Sequence, residues 1–391
     1  MAQEGSGPSG RRMRRALLQG LGGAALLGAG RPARAAEVGV SGDSLLIGQS
    51  IALQGGKNLY GTEVMAGVRA CLEHANRNGG VNGRKVQLRT LDDENDATRA
   101  AAHARTLIDG GAFVLFGSIE GGPSTAVMNV AVEAGVPFIG PMAGSPGLRR
   151  PHQPLVFPVR AEHREEFRAL IEHGKRIGLT RVALLHADSA VGREHLANVE
   201  KMATAAGMAF GDGLPFKSDI TDAQLGALAQ ELDKRRVDLV LNHGSSGIYR
   251  RFIRIAREAG SRASMWGVNS GSTQLAEALG PLAHGMVFTQ VVPNPNSGKS
   301  ALVREYQARV PAPAGGALRS YGSLEGYMTT KALLAALRAA GPAPTRTSLL
   351  SGLARFDLDL GGVPLRWRSG EHAGSSFVDL ALVGRDGRFV Q

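Results

Sequence analysis

Residues 113–145, FVLFGSIEGGPSTAVMNVAVEAGVPFIGPMAGS, decide the fold. Phe113–Phe116 is a short unbroken apolar run, the pattern of a strand covered on both faces of a parallel sheet. Gly117 ends it. Pro123 stands where a helix loses nothing by lacking an N–H, and Ser124 and Thr125 follow in the first turn. Pro137–Ile139 is the next buried strand. A right-handed connection of this length brings loops 118–122 and 142–145 to one carboxyl edge of the sheet, where open α/β sheets bind ligands.

The same alternation extends in both directions. Upstream, strands at 45–51 and 85–91 flank a helix over 61–76, with GG and NG turn signals in Gly79–Arg84 and a second helix over 97–108. After Arg149-Arg150-Pro151 the pattern restarts: a strand at 156–159, then helices at 161–177, 193–206, 221–235 and 248–259 between strands at 181–186, 208–214, 238–242 and 265–268. A strand at 285–292, helices at 300–309 and 323–339, and an antiparallel pair at 376–383 and 387–390 complete the chain. Short apolar runs alternating with 3.6-period helices mean parallel sheets covered by helices. There are too many units for one sheet, so the reading is α/β with two doubly wound Rossmann-like halves, separated near 145–160.

The length of 391 residues fits two or three domains at roughly 150 residues each. Of the net charge of +11, five units belong to residues 1–36, which hold six Arg and one Glu. The remaining excess is spread without a basic run or interleaved aromatics, so nucleic acid is not the expected partner. Arg11–Arg15, a weak apolar run to Gly30 and Ala33-Arg34-Ala35 read as an export signal over 1–36, cleaved near Ala35 or Ala36. Arg14-Arg15-Ala16-Leu17-Leu18 resembles the twin-arginine signal, but Met13 precedes it where Ser or Thr is usual, so the Sec route stays open. Gly20–Ala25 mimics a dinucleotide fingerprint with no strand before it. Cys71 is the only cysteine, which leaves no intrachain disulfide and no lipid-anchoring cysteine after the signal.

Candidate chemistry is sparse. The acidic run Asp92–Asp96 lacks the glycine and distal glutamate of a calcium loop and suits a helix N-terminus without a metal. His186 and His243 fall at carboxyl ends of second-half strands; two histidines without a third ligand type read as structural. No GxSxG elbow, phosphate loop or HExxH is present, so neither an enzyme nor a cofactor is expected.

Ile47-Gly48, Tyr60-Gly61, Gly67, Asn76, Gly79–Arg84, Asp92-Asp93, Leu107-Ile108, Phe116-Gly117, Val136-Pro137 and Ser320–Gly322 together resemble the type I periplasmic solute-binding proteins of ABC importers, in particular the leucine/isoleucine/valine-binding branch. The resemblance implies two lobes joined by three crossovers, with a ligand cleft between them. It assigns 43–160 plus 290–360 to lobe 1 and 161–289 plus 361–391 to lobe 2. It further implies a periplasmic, unanchored monomer that hands a small solute to an inner-membrane permease.

Carried over position by position, the resemblance places aromatic walls at Tyr60 and Tyr321, which are retained, and at Val191 and Ser245, which are not aromatic. Hydroxyl-bearing positions fall on Gly121 and Gly144, and the acid that holds an α-ammonium falls on Asn269. The expected ligand-binding set is Tyr60, Glu120, Gly121, Gly122, Ser124, Met142, Ala143, Gly144, Val191, Ser245, Asn269 and Tyr321. A buried ammonium without a carboxylate is costly, whereas Gly121 and Gly122 suit an anion through backbone N–H groups at a helix N-terminus. A small organic or aromatic acid is therefore the expected solute. Amino-acid binding proper, and a sensor for a kinase or chemoreceptor, stay open at this level.

Overall fold

The computed structural model describes residues 37–53, 59–269, 271–312, 314 and 319–390. The export segment read at 1–36 lies outside them. The first half runs β1 (Ser44–Ile51), α1 (Tyr60–Arg77), β2 (Lys85–Asp92), α2 (Ala97–Asp109), β3 (Val114–Phe116), α3 (Gly121–Glu133), β4 (Phe138–Ile139) and β5 (Val156–Phe157). Its five strands are parallel in the order β2-β1-β3-β4-β5. The run at 113–145 thus forms two neighbouring parallel strands, and its two loops share one sheet edge.

The second half runs α4 (His163–Arg176), β6 (Arg181–Ala187), α5 (Ala190–Ala205), β7 (Ala209–Phe216), α6 (Asp222–Lys234), β8 (Leu239–His243), α7 (Ser246–Glu258), β9 (Ser264–Gly267), α8 (Ser272–Leu279) and β10 (Val287–Gln290). The chain then gives α9 (Ala301–Arg309), α10 (Tyr321–Ala339), α11 (Arg346–Leu353), β11 (Arg355–Asp359), β12 (Pro364–Arg368), β13 (Glu371–Gly374), β14 (Asp379–Val383) and β15 (Phe389–Val390). The second sheet has the order β15-β14-β10-β9-β8-β6-β7, with β14 and β15 antiparallel. The chain therefore crosses between the halves three times, after β5, after β10 and after β13.

The expected boundary at 360–361 does not follow the strands. β11, β12 and β13 form a small sheet of their own, and Leu365 and Trp367 are buried in the same core as α1 and α10 of the first half. Only 379–390 joins the second sheet. Sequence reading passed over α11 and this sheet because their patterns are short.

Local chemistry explains the motifs. Asn76 closes two hydrogen bonds with the Val86 backbone, 2.9 and 2.8 Å, which fix α1 against β2. Asn82 and Arg84 donate to the Gly341 and Pro342 carbonyls, so the Gly79–Arg84 turn clasps the end of α10. The acidic run serves the backbone: Asp92 accepts from the N–H groups of Leu53 and Glu94, Asp93 from Ser50 and Asn95, and Asp96 caps α2 at Arg99. The crossovers are tied side by side. Ser375 N–H donates to the Val159 carbonyl, Trp367 Nε1 to Pro158, and the buried Arg149 guanidinium to the carbonyls of Ala143, Ser145, Arg160 and Ala373.

Helices α1 and α10 meet backbone to backbone. A Cβ on Gly67 would lie 1.8 Å from the Ser323 carbonyl oxygen, and one on Gly326 would lie 2.1 Å from that of Val64. Only glycine permits this approach, and it brings α1 and α10 side chains to the cleft together. Gly67→Ala is expected to lower the unfolding free energy by about 1–3 kcal/mol, the usual cost of overpacking. Gly226→Ala, in α6 with its nearest neighbour 3.8 Å away, is expected to raise it by roughly 0.5–1 kcal/mol. Urea titration of the two variants measures both.

Candidate functional site

Arg160 follows β5 in the first crossover, where the chain leaves a buried strand, and it is wholly buried. Six residues on, in the first turn of α4, stands Glu166, a helix position that favours a carboxylate. Glu166 Oε1 accepts from the Arg160 guanidinium and from His163 Nδ1 at 2.9 Å. Its Oε2 accepts from the Asn269 backbone N–H at 3.0 Å and from Thr289 Oγ1 at 2.6 Å. Burial works against ionisation of Glu166, but the Arg160 charge and the hydrogen bonds from His163 and Thr289 outweigh it and hold the carboxyl down at about 2.

A second carboxylate enters from the first half. Glu325 lies in α10, and its Oε2 accepts from the Tyr60 hydroxyl and from Asn269 Nδ2 at 3.2 Å. Its Oε1 stands 3.9 Å from Arg160 Nε. Burial raises the Glu325 pKa, and the pull of Arg160 does not cancel it. Arg160, Glu166, Asn269 and Glu325 therefore form a closed ring across the two halves. Arg160 Nη1, Asn269 Oδ1 and Glu325 Oε1 are buried with no hydrogen-bond partner.

The expected residues fall in several places. Tyr60 and Asn269 meet on Glu325. Glu120 precedes α3 at φ 61 and ψ 150, a strained region for any residue but glycine, and its charge acts on both Tyr60 and Arg160. The Gly144 carbonyl accepts from the His163 backbone N–H at 3.0 Å, and a Cβ on Gly144 would lie 2.6 Å from the His163 ring. An imidazole thus fills the place where the resemblance expected a hydroxyl. A Cβ on Gly121 would lie 2.5 Å from Ser145 Oγ, so Ser145 supplies a hydroxyl at that spot. Gly122 faces open space.

Ser124 is buried and joined to Ser118 and the Ile119 carbonyl, which commits its hydroxyl to its own loop. Met142 and Ala143 are buried beneath that loop. Val191 is exposed on α5. Ser245 caps α7 through the Ile248 N–H and borders a cavity of about 890 Å³ lined by the second half alone. That cavity lacks a wall from the first half, whereas the buried ring draws residues from both halves. Tyr321 borders a different cavity, about 500 Å³, with Glu63 and Arg319 on one side and Glu277 and Arg388 on the other. Its ring meets Phe389 edge-on at 5.9 Å.

Sequence reading missed Arg160, His163, Glu166, Thr289 and Glu325. One signal was present: Glu325 is the only acid in the 19-residue α10 and the only charged residue among its first ten, so it needs a partner from elsewhere.

Behind the Gly144 loop the second half packs His163, His195 and His243 against Phe167. The ring centroids lie 5.5 Å apart for His163–His195, 5.1 Å for His163–His243 and 3.8 Å for His195–His243. His186, beside them, bonds the Ala187 carbonyl at 3.0 Å. Burial, then the charge of the neighbouring histidines, pulls His195 down to about 3 and His243 well below the ordinary imidazole value.

A sequence profile described as "Periplasmic binding protein" matches residues 44–388. The "Leu/Ile/Val-binding protein homolog 2" of Brucella abortus (strain 2308) is 23% identical over 350 residues, covering 85% of this chain and 93% of that protein. A substrate-binding periplasmic protein from Ralstonia solanacearum superposes with a TM-score of 0.76 at 27% identity, over 88% of this chain and 99% of that one. A solute-binding protein of an ABC transporter from R. palustris, solved in complex with benzoate, superposes at 0.74 with 20% identity, over 89% and 95%.

The histidine cluster sets a pH dependence. A base whose folded pKa is depressed contributes stability that is complete above its unfolded value near 6.5 and is lost as pH falls towards the folded value. Between about pH 6.5 and 4.5 the unfolding free energy should fall by on the order of 1.4 kcal/mol per pH unit for each such group. His195→Leu should flatten the slope by one group's share. Equal slopes for the two proteins in urea titrations across this range would show that His195 is not held neutral.

Proposed function

The chain belongs to the periplasmic binding protein family, and on that premise we propose that it serves an ABC importer by closing its two lobes on a small organic acid whose carboxylate meets Arg160. The family binds solutes rather than transforming them, works in the periplasm and takes small molecules. The importer and the solute class are the proposed part.

The observation that carries the solute class is Arg160 itself. It is fully buried at the crossover, flanked by residues of both sheets, and its Nη1 is left without a partner. A buried unpartnered donor on a charged group costs more than a neutral one, and a carboxylate satisfies both the hydrogen bond and the charge. Glu166 pairs with the other end of the guanidinium and leaves Nη1 itself without an acceptor. A neighbour with the same fold holds benzoate, an organic acid, which is compatible with this reading.

Calorimetry against aliphatic and aromatic acids, each paired with its amide, tests the proposal. An acid is expected to bind at least tenfold more tightly than its amide. Arg160→Gln combined with Glu166→Gln, which removes the two members of the buried pair together, should weaken acid binding by about 2–5 kcal/mol and leave amide binding nearly unchanged. Equal affinity for acid and amide would overturn the carboxylate assignment.

A further inference from the structure

Glu63 stands in the first turn of α1, where the two halves face each other across the cavity of about 500 Å³ that Tyr321 borders. Its Oε1 accepts from Gln274 Nε2, on α8 of the second half, at 3.2 Å. Its Oε2 abuts α10, since a Cβ on Gly322 would lie 2.8 Å from it. Glu277 borders the same cavity from the same face of α8 as Gln274, and its charge acts on Glu63. Two acids thus meet across the halves, and no cation compensates them. Arg319 and Arg388 border the cavity, but Arg319 Nε donates to the Val310 carbonyl at 3.4 Å and Arg388 Nε stands 3.9 Å from Asp386. Among the described residues neither they nor any other cation forms an ion pair with Glu63. The remaining titratable neighbours, Tyr306 on α9 and Tyr321 on α10, bring no positive charge and are themselves pushed up by burial.

A carboxylate in this place offers Gln274 only acceptors, whereas a protonated carboxyl offers a donor and an acceptor to an amide that has both. Burial first, and then the Glu277 charge, lift Glu63 to about 7 against the hydrogen bonds from Ser320 and Gln274. We propose that Glu63 is a proton-held latch: joining the halves at α1 and α8 takes up a proton on its carboxyl, so acid draws the lobes together and alkali releases them. The proposal rests on the closing of two lobes in the reading above, not on the assignment of Arg160. Separation of the halves removes Gln274 and Glu277 and opens Glu63 to water, which returns it towards the ordinary 4.5. The joined form therefore holds the proton more tightly. Its advantage is absent above about pH 7, grows by at most about tenfold per pH unit as pH falls, and is complete below about 4.5.

Carbon-13 titration of the Glu side chains in the solute-free protein, with Glu63 assigned by its loss in Glu63→Gln, is expected to place its midpoint near 7. Glu277→Gln is expected to lower that midpoint. Small-angle X-ray scattering of the same samples reads the lobes. The radius of gyration is expected to be larger at about pH 8.5 than at about pH 5.5, with the change centred on the Glu63 midpoint, while Glu63→Gln keeps the smaller value at both. A Glu63 midpoint below about 5, an unchanged wild-type radius, or a change that persists in Glu63→Gln overturns the proposal. So does compaction by calcium chloride at the higher pH with Glu63 still ionised, which would give the place of the proton to a cation. If pH leaves the radius alone while an acid of the calorimetric series reduces it, the latch fails and the solute reading stands; if neither reduces it, lobe closure fails as well. Should Glu63→Gln not fold, Glu277→Gln decides, and a midpoint that it leaves unmoved overturns the latch.

Discussion

Moving a guanidinium and a carboxylate out of water costs several kcal/mol per ion, and the Arg160–Glu166 pair is wholly removed from it. The structure around the pair is an answer to that cost. Four donors from the crossover, α4, the end of β9 and β10 converge on the two oxygens of Glu166. On the other side, the Arg160 carbonyl is held by Arg149, whose guanidinium also binds the Gly144 loop and β13. Only six residues separate the members of the pair, so separation of the halves need not break it. The contacts that join the two halves include Asn269 to Glu325 at 3.2 Å and Gln274 to Glu63 at 3.2 Å. The ion pair is local to one stretch of chain, and the contacts around it reach across the halves.

That division depends on the first half being rigid where Glu325 and Tyr60 leave it. The glycines at 67 and 326 let α1 and α10 approach at backbone distance, and nearly every side chain of α10 is buried. Side chains carried on packed helices hold their positions better than those carried on loops. Tyr60 opens α1 and Glu325 lies one turn inside α10, so the hydrogen bond between them joins two such supports. The loop residues Gly121 and Gly144, by contrast, give their space to Ser145 and His163.

The architecture was largely legible because it is periodic. Apolar runs such as Phe113–Phe116, the clasp at Gly79–Arg84 and the pairing of 379–383 with 389–390 all follow local rules that sequence carries. The site was less legible because its chemistry is assembled from positions far apart in the chain. Tyr60 and Asn269 stood out by alignment with relatives, yet what joins them is Glu325, 265 residues beyond the first. Ser124 looked like a hydroxyl at a ligand edge, and its partner six residues back uses it. Arg160 carried no local signal at all: one arginine after a strand looks like any other until its burial is known.

Position 269 alone does not decide the chemistry around it. An aligned asparagine says that an acid is missing from one strand end; it does not say that the cleft lacks one. Glu325 brings a carboxylate to the Asn269 side chain from the opposite half. An acid on the second half would have to approach the solute as the lobes shut, exchanging its water at that moment. An acid on α10 shares a wall with Tyr60, and toward it the second half presents the uncharged Asn269 amide, whose backbone N–H is held by Glu166. Desolvating neutral groups costs less than desolvating a charge. At this contact Glu325 therefore meets a neutral amide rather than a second charge.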